Sequence, residues 1–141
     1  TLTEKIVDEY GNVRSDEQGT MNGNDVFNFV IEEVPKDIRN LLGTVGENVE
    51  NLDYYVFHQA NMFINKYLIK KMNLNPEKIP WTISKYGNTA SVSIPLTIVS
   101  ELKGKLSGTH RLLLNAFGVG MAWSTAIVPF VDCKISDIVE I

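Results

Sequence analysis

The stretch YYVFHQANMF, residues 54–63, decides how this chain is read. Its first four residues are aromatic and β-branched, the composition of a buried strand. At His58-Gln59-Ala60-Asn61 that pattern breaks, and the apolar residues of MFINKYLIKKM (62–72) no longer alternate. A histidine and two amides therefore stand where a buried strand hands over to a helix. In open α/β sheets, functional groups gather at that junction.

Working outward, Leu52–Phe57 reads as a strand buried on both faces, and Asn61–Met72 as a helix closed by NLNP, with Pro76 just beyond. Upstream, NGND supplies turn and cap residues for NDVFNFVIEEVPKDIRNLL (24–42). There Val26, Phe27, Val30, Ile31 and Val34 fall at helical spacing, and Pro35 is expected to kink or end a segment. Val45–Asn51 is a polar connector or a continuation of helix. Downstream, Pro80–Ser84 suits a short strand. KYGNTASVSIP (85–95) is a turn feeding a helix that carries Val92, Leu96, Val99 and Leu102, with Pro95 in its first turn or at a kink. Arg111–Phe117 is a nearly continuous apolar strand, Gly118-Val119-Gly120 a tight turn, and Met121–Val131 a returning strand. Strands alternating with helices predict an α/β layered domain whose largely parallel sheet is closed by a hairpin.

Composition narrows the function classes. The 141 residues suffice for one domain with a sizeable core. Hydrophobic residues at 44% and charged residues at 21% are the balance of a soluble globular protein. Thirteen basic against 17 acidic residues give a formal charge of −4, which argues against a dedicated nucleic-acid binder. No apolar run approaches a membrane span and no signal-peptide pattern opens the chain, so a cytoplasmic setting is expected. A single cysteine, Cys133, rules out an intramolecular disulfide, and with only His58 and His110 a zinc site is not expected. The chain opens on Thr1 rather than Met. Its polar, acidic first twenty residues read as a connecting segment from a longer protein or as an engineered start.

Three loops can bring chemistry together: His58 to Asn61, Tyr86-Gly87-Asn88-Thr89, and Phe117-Gly118-Val119-Gly120. Each has a structural reading as well. A histidine ending a strand is often a hydrogen-bonded structural residue, Gly-Asn before Thr and Ser is often a capped turn, and Gly-x-Gly between strands is often a hairpin. Trp81 and Trp123 read as core, and His110 as a surface residue outside every motif.

Taken jointly, HQAN (58–61), YGNTASVSIP (86–95) and AFGVGMAWSTAIV (116–128), in this order and spacing, resemble the C-terminal half of β-ketoacyl-acyl-carrier-protein synthase III, of the thiolase superfamily. MNGNDVF (21–27) also resembles the stretch ahead of that half's first helix. The resemblance covers roughly residues 21–130. It implies the C-terminal half of a thiolase fold, with a mixed, largely parallel five-stranded sheet flanked by helices. The chain then divides into a connecting segment (1–20), the thiolase-fold domain (21–132) and a tail (133–141).

The same resemblance implies an acyltransferase of fatty-acid biosynthesis with a Cys-His-Asn site. The cysteine accepts an acyl group from acyl-coenzyme A. His58 and Asn88 then stabilise the enolate formed as malonyl-acyl-carrier protein loses carbon dioxide, and the carbanion attacks the acyl-cysteine. Two neutral donors in a dry pocket suit that charge. The backbone N–H of Val119 matches an oxyanion contact. Met21, Gly23, Asn24, Phe27, Ala60 and Asn61 match positions contacting the pantetheine arm, and the amides after His58 are expected to line the tunnel. On the helix after His58, Ile64 and Leu68 share one stripe. Phe63, Lys66 and Lys70 share the opposite one, which resembles the surface that receives acyl-carrier protein, with Phe63 where an arginine is often found. The implied partners are acyl-carrier protein, acyl-coenzyme A and a second copy in a homodimer, with no metal or redox cofactor, no nucleic acid and no membrane.

The family's nucleophilic cysteine lies in its N-terminal half. Cys133 follows the last strand, with no activating base or helix N-terminus nearby, and is not expected to replace it. The chain alone is therefore expected to be inactive. Two alternatives stand beside this reading: a related condensing enzyme using another acyl or coenzyme A substrate, and a non-catalytic acyl-binding or carrier-docking module.

Overall fold

The computed structural model describes residues 4–15 and 22–139. In the first of these segments a small antiparallel hairpin pairs β1 (Ile6–Val7) with β2 (Val13–Arg14), Ile6 opposite Arg14. Met21 and residues 16–20 lie outside the described residues.

The long helix α1 (Gly23–Val45) starts where Asn22 accepts the amides of Asn24 and Asp25 with its side chain, and stops at Gly46, whose left-handed φ of 64° a helix C-terminus favours. Val30, Val34, Ile38 and Leu42, four apart, are buried. Pro35 does not end this helix; it lies inside it. Because proline has no N–H, the carbonyl of Ile31 loses its helical partner. Lys71 fills the vacancy, donating from Nζ to Ile31 O at 2.6 Å.

The strand β3 (Tyr54–Phe57) runs parallel to β4 (Thr109–Gly118), with Val56 opposite Leu114. Between them come α2 (Met62–Met72), α3 (Ile83–Tyr86) and α4 (Ser93–Glu101). β5 (Ala122–Val131) returns antiparallel to β4, giving the order β3-β4-β5. Pro95 stands in the first turn of α4, where its missing donor leaves no helical bond unmade.

Strand alternation divides the core between two faces. Tyr55, Phe57, Leu113 and Phe117 pack with α1 and α2 residues such as Val34, Ile38 and Leu68. Val56 and Leu112 pack with Leu102 and Leu106 on the opposite face, where Ile94 and Ile98 of α4 close over them. The architecture is α/β, a mixed sheet between helices. α2 buries Ile64 and Leu68 as its periodicity predicts, and leaves Phe63, Lys66 and Lys70 exposed.

Some details differ from expectation. Among the described residues the central sheet has three strands, not five. Pro80–Ser84 forms no strand: the amides of Thr82 and Ile83 turn to the Gln59 side chain, and Thr82 O accepts the amides of Lys85 and Tyr86. The backbone groups a ladder would need are used by a helical turn. Trp123 is not core; on the edge strand β5 it is 41% exposed and meets Phe29 edge-on. Trp81 packs, partly buried, against the main core. His110 lies within β4 rather than before it and is only partly exposed, its Nε2 bonded to Ser107 O at 2.9 Å.

Candidate active site

His58 is the residue immediately after β3, and its main chain is held on both sides. Its N–H donates to Asn115 O at 2.8 Å, continuing the β3–β4 pairing by one residue. Its C=O accepts from Asn65 Nδ2 at 3.0 Å, a side chain buried in α2. The ring is half-buried, with Nδ1 2.5 Å from Ser93 Oγ and the Phe117 ring edge-on at 5.4 Å between centroids. Burial disfavours the imidazolium and lowers the His58 pKa from its ordinary value of 6.5. With its pKa held below that value, the neutral imidazole is the main form at pH 7. It can donate one hydrogen bond to an oxygen without placing a full charge in the site.

Asn88 comes from the loop between α3 and α4. Its Oδ1 accepts the Ala90 N–H at 2.9 Å, so the oxygen is committed to the backbone and Nδ2 is left as a donor. The loop is bent hard on both sides. Gly87 has φ 70° and ψ −158°, a region open essentially to glycine alone, and Ala90 has φ 50°, left-handed for a residue with a Cβ. The third loop, Val119 to Met121, joins β4 to β5 with Gly120 at φ 86°.

These three loops meet around one open cavity of about 780 Å³, lined by His58, Ala60, Asn88 and Val119 together with Ser91, Ser93 and Trp123. The Val119 side chain itself is fully exposed. The rest of the expected set is placed differently. Gly23, Asn24 and Phe27 sit on the first turns of α1 but do not line the cavity; their neighbours Asn22, Asp25 and Val26 do. Phe27 instead stacks on Phe63 at 5.6 Å, with Tyr67 edge-on to it at 5.7 Å.

The two amides of the opening stretch do not line the cavity. Asn61 is the N-cap of α2, accepting the Phe63 N–H at 2.7 Å. Gln59 is fully buried: Nε2 donates to Phe57 O, and Oε1 accepts from Thr82 N and Ile83 N, each at 3.2 Å. It ties the strand that carries His58 to the helical turn that leads to Asn88. Ser93 is the site residue that sequence reading missed. A serine at the start of a helix, five residues after Asn88, carries only the signal of a cap.

Among the described residues, no group of three or more His, Cys, Asp or Glu side chains is arranged to hold a metal ion. No helix of these residues is long and apolar enough to cross a membrane. Cys133 is exposed in the tail and does not line the cavity.

The family described as 3-oxoacyl-[acyl-carrier-protein (ACP)] synthase III C terminal matches residues 42–130. The beta-ketoacyl-[acyl-carrier-protein] synthase III of Streptococcus gordonii is 37% identical over 112 residues, which are 77% of this chain and 35% of that protein. A 3-oxoacyl-(acyl-carrier protein) synthase from Burkholderia xenovorans superposes with a TM-score of 0.79 at 41% identity, over 83% of this chain and 34% of that one. A second solved structure, a 3-oxoacyl-(acyl-carrier-protein) synthase III, gives a TM-score of 0.80 at 39% identity, over 92% of this chain and 38% of that one. The chain thus spans about a third of the length of the curated relatives it matches.

Proposed function

The chain belongs to the 3-oxoacyl-[acyl-carrier-protein] synthase III C-terminal family, and from that premise we propose that it supplies the decarboxylating part of a condensing site in fatty-acid biosynthesis. The observation that carries the reading is the meeting of the half-buried His58 imidazole and the amide of Asn88 at one cavity.

A malonyl thioester enters with its carbonyl oxygen toward these two side chains. As the carbon–carboxylate bond breaks, carbon dioxide leaves and the electron pair becomes an enolate with its charge on that oxygen. His58 and Asn88 Nδ2 donate to it, and neither is neutralised by it. The carbanion then attacks an acyl group held as a thioester on a cysteine, and the sulfur leaves as thiolate. The Val119 N–H stabilises the oxyanion of this second step. The cysteine comes from outside these residues, since Cys133 stands away from the cavity. The reaction calls for no metal or redox cofactor, because decarboxylation supplies the electron pair.

The extender arrives on acyl-carrier protein, whose acidic surface meets Lys66 and Lys70 on the exposed side of α2, with Phe63 as an apolar contact. Ala60 lines the cavity on the path of the pantetheine arm; Gly23, Asn24 and Phe27 on the first turns of α1, and Asn61 at the start of α2, stand beside that path, and Met21 is assigned to the same set from the sequence alone. Acyl-coenzyme A supplies the primer, in the cytoplasm. The apolar side chains left open around α4 and the cavity, Val92 at 54% and Trp123 at 41% exposure, are covered in a homodimer.

Incubating this chain alone with acyl-coenzyme A and malonyl-carrier protein tests the division of labour. No 3-ketoacyl product is expected until a cysteine-bearing half is added. Product from the chain alone would contradict it.

A further inference from the structure

Beneath the imidazole lies a closed ring of buried polar contacts. The Gln59 N–H donates to Ser93 Oγ at 3.3 Å, and Gln59 Oε1 accepts from Thr82 N at 3.2 Å. Thr82 Oγ1 is 2.6 Å from Thr97 Oγ1, and Thr97 Oγ1 donates to Ser93 O at 2.7 Å. Since Thr97 spends its only proton on that carbonyl, Thr82 is the donor to Thr97. Gln59, Thr82, Ser93 and Thr97 are each at most 2% exposed. One contact leads out of the ring to the site, the 2.5 Å approach of Ser93 Oγ to His58 Nδ1.

The direction of that contact follows from counting protons. If Nδ1–H donated to Ser93, the serine oxygen would receive two donors, from His58 and from Gln59. Its own proton would then have no acceptor among the described residues, in a position 1% exposed. A buried donor left unpaired is costly, whereas the reverse arrangement satisfies every group. Ser93 therefore donates and Nδ1 accepts.

We propose that Ser93 is a positioning residue for His58: its hydroxyl donates to Nδ1, which places the ring proton on Nε2, the nitrogen left for the substrate oxygen. This rests on the proposed function only for the use made of that proton. The ring around it gives the hydroxyl one orientation, since Gln59 fixes the oxygen from one side and Thr97 holds the backbone carbonyl of the same residue. A histidine held only by packing would be free to present a bare nitrogen, which cannot stabilise an enolate.

Nitrogen-15 spectra of the histidine rings in the wild-type chain, recorded without substrate near pH 8, read the tautomer directly. With two histidines in the sequence, replacing His110 by Gln assigns both. The expected result is a proton on His58 Nε2 and an Nδ1 resonance displaced by an accepted hydrogen bond. A proton on Nδ1 would overturn the proposal whether or not any variant folds. In Ser93→Ala the Nδ1 displacement is lost while the His110 signals stay in place; an unchanged Nδ1 resonance would equally overturn it. In the chain assembled with its cysteine-bearing half, Ser93→Ala is expected to lower kcat for malonyl decarboxylation roughly twofold to tenfold, the worth of one neutral hydrogen bond, with KM nearly constant. An unchanged kcat would remove the positioning role. Because the tautomer is read without turnover, loss of the decarboxylase reading would leave the Nε2–H result standing.

Discussion

Lys71 Nζ donates to the main-chain oxygen of Ile31 at 2.6 Å, across the contact between α2 and α1. The oxygen is available because Pro35, one helical turn later, has no N–H to give it. A lysine on the second helix thus completes the first one.

The pair makes a testable cycle. Lys71→Met should destabilise the chain by about 1 kcal/mol, the worth of a hydrogen bond at an exposed site. In a Pro35→Ala background the helix supplies its own donor to Ile31, and the same lysine change should then cost little. Urea unfolding of the four proteins gives the coupling energy. Equal costs in both backgrounds would show that Lys71 does not act through that carbonyl.

Gly87 holds Asn88 in place through backbone conformation rather than space. No heavy atom beyond its two chain neighbours lies within 4 Å of where a Cβ would stand, yet its φ is 70° with ψ at −158°. Gly87→Ala should therefore cost roughly 1–3 kcal/mol by strain alone, or relax by moving the Asn88 loop. Thermal unfolding reads the first outcome, and a weakened decarboxylation with normal stability reads the second. A fully stable, fully active variant would refute the account of this turn.

His58 should titrate below its ordinary pKa of 6.5, because burial opposes its charged form. The unfolded chain takes up this proton near 6.5, the folded chain only at lower pH. Stability conferred by the neutral ring is complete above the unfolded value and is lost as pH falls through the folded one. The ring signals of His58 in an NMR titration give the value. His58→Phe should flatten the stability-versus-pH curve just below 6.5, and a wild-type pKa at or above 6.5 would contradict the burial argument.

Much of the architecture was legible in the sequence because it rests on periodicity. The spacing of Ile64 and Leu68, and the apolar runs ending at Phe57 and Phe117, depend on which faces are dry, and helical spacing or an unbroken apolar run marks those faces. Three loops stand out where the apolar pattern of the sequence breaks, and the structure brings His58, Asn88 and Val119 to one cavity. What could not be read was polar and long-range. Gln59 reads as a tunnel residue but bonds to Thr82, 23 positions away, and so converts an expected strand into a helical turn. Pro35 reads as a kink or an end of the helix, and the sequence does not show that Lys71, 40 residues beyond Ile31, meets the carbonyl it leaves open. Ser93 contacts His58 across 35 positions. Such pairings have no period, and composition does not announce them.

The central claim is that His58 and Asn88 stabilise one developing negative charge. Its most direct test is carbon dioxide release from malonyl-carrier protein by the chain assembled with its cysteine-bearing half, comparing wild type with His58→Ala and Asn88→Ala. Trapping of the labelled acyl-enzyme is measured in parallel. Each variant should lose about a hundred- to thousandfold in decarboxylation, about 2.7–4 kcal/mol of transition-state stabilisation, while acylation of the cysteine proceeds at the wild-type rate. Normal decarboxylation in either variant would contradict the claim.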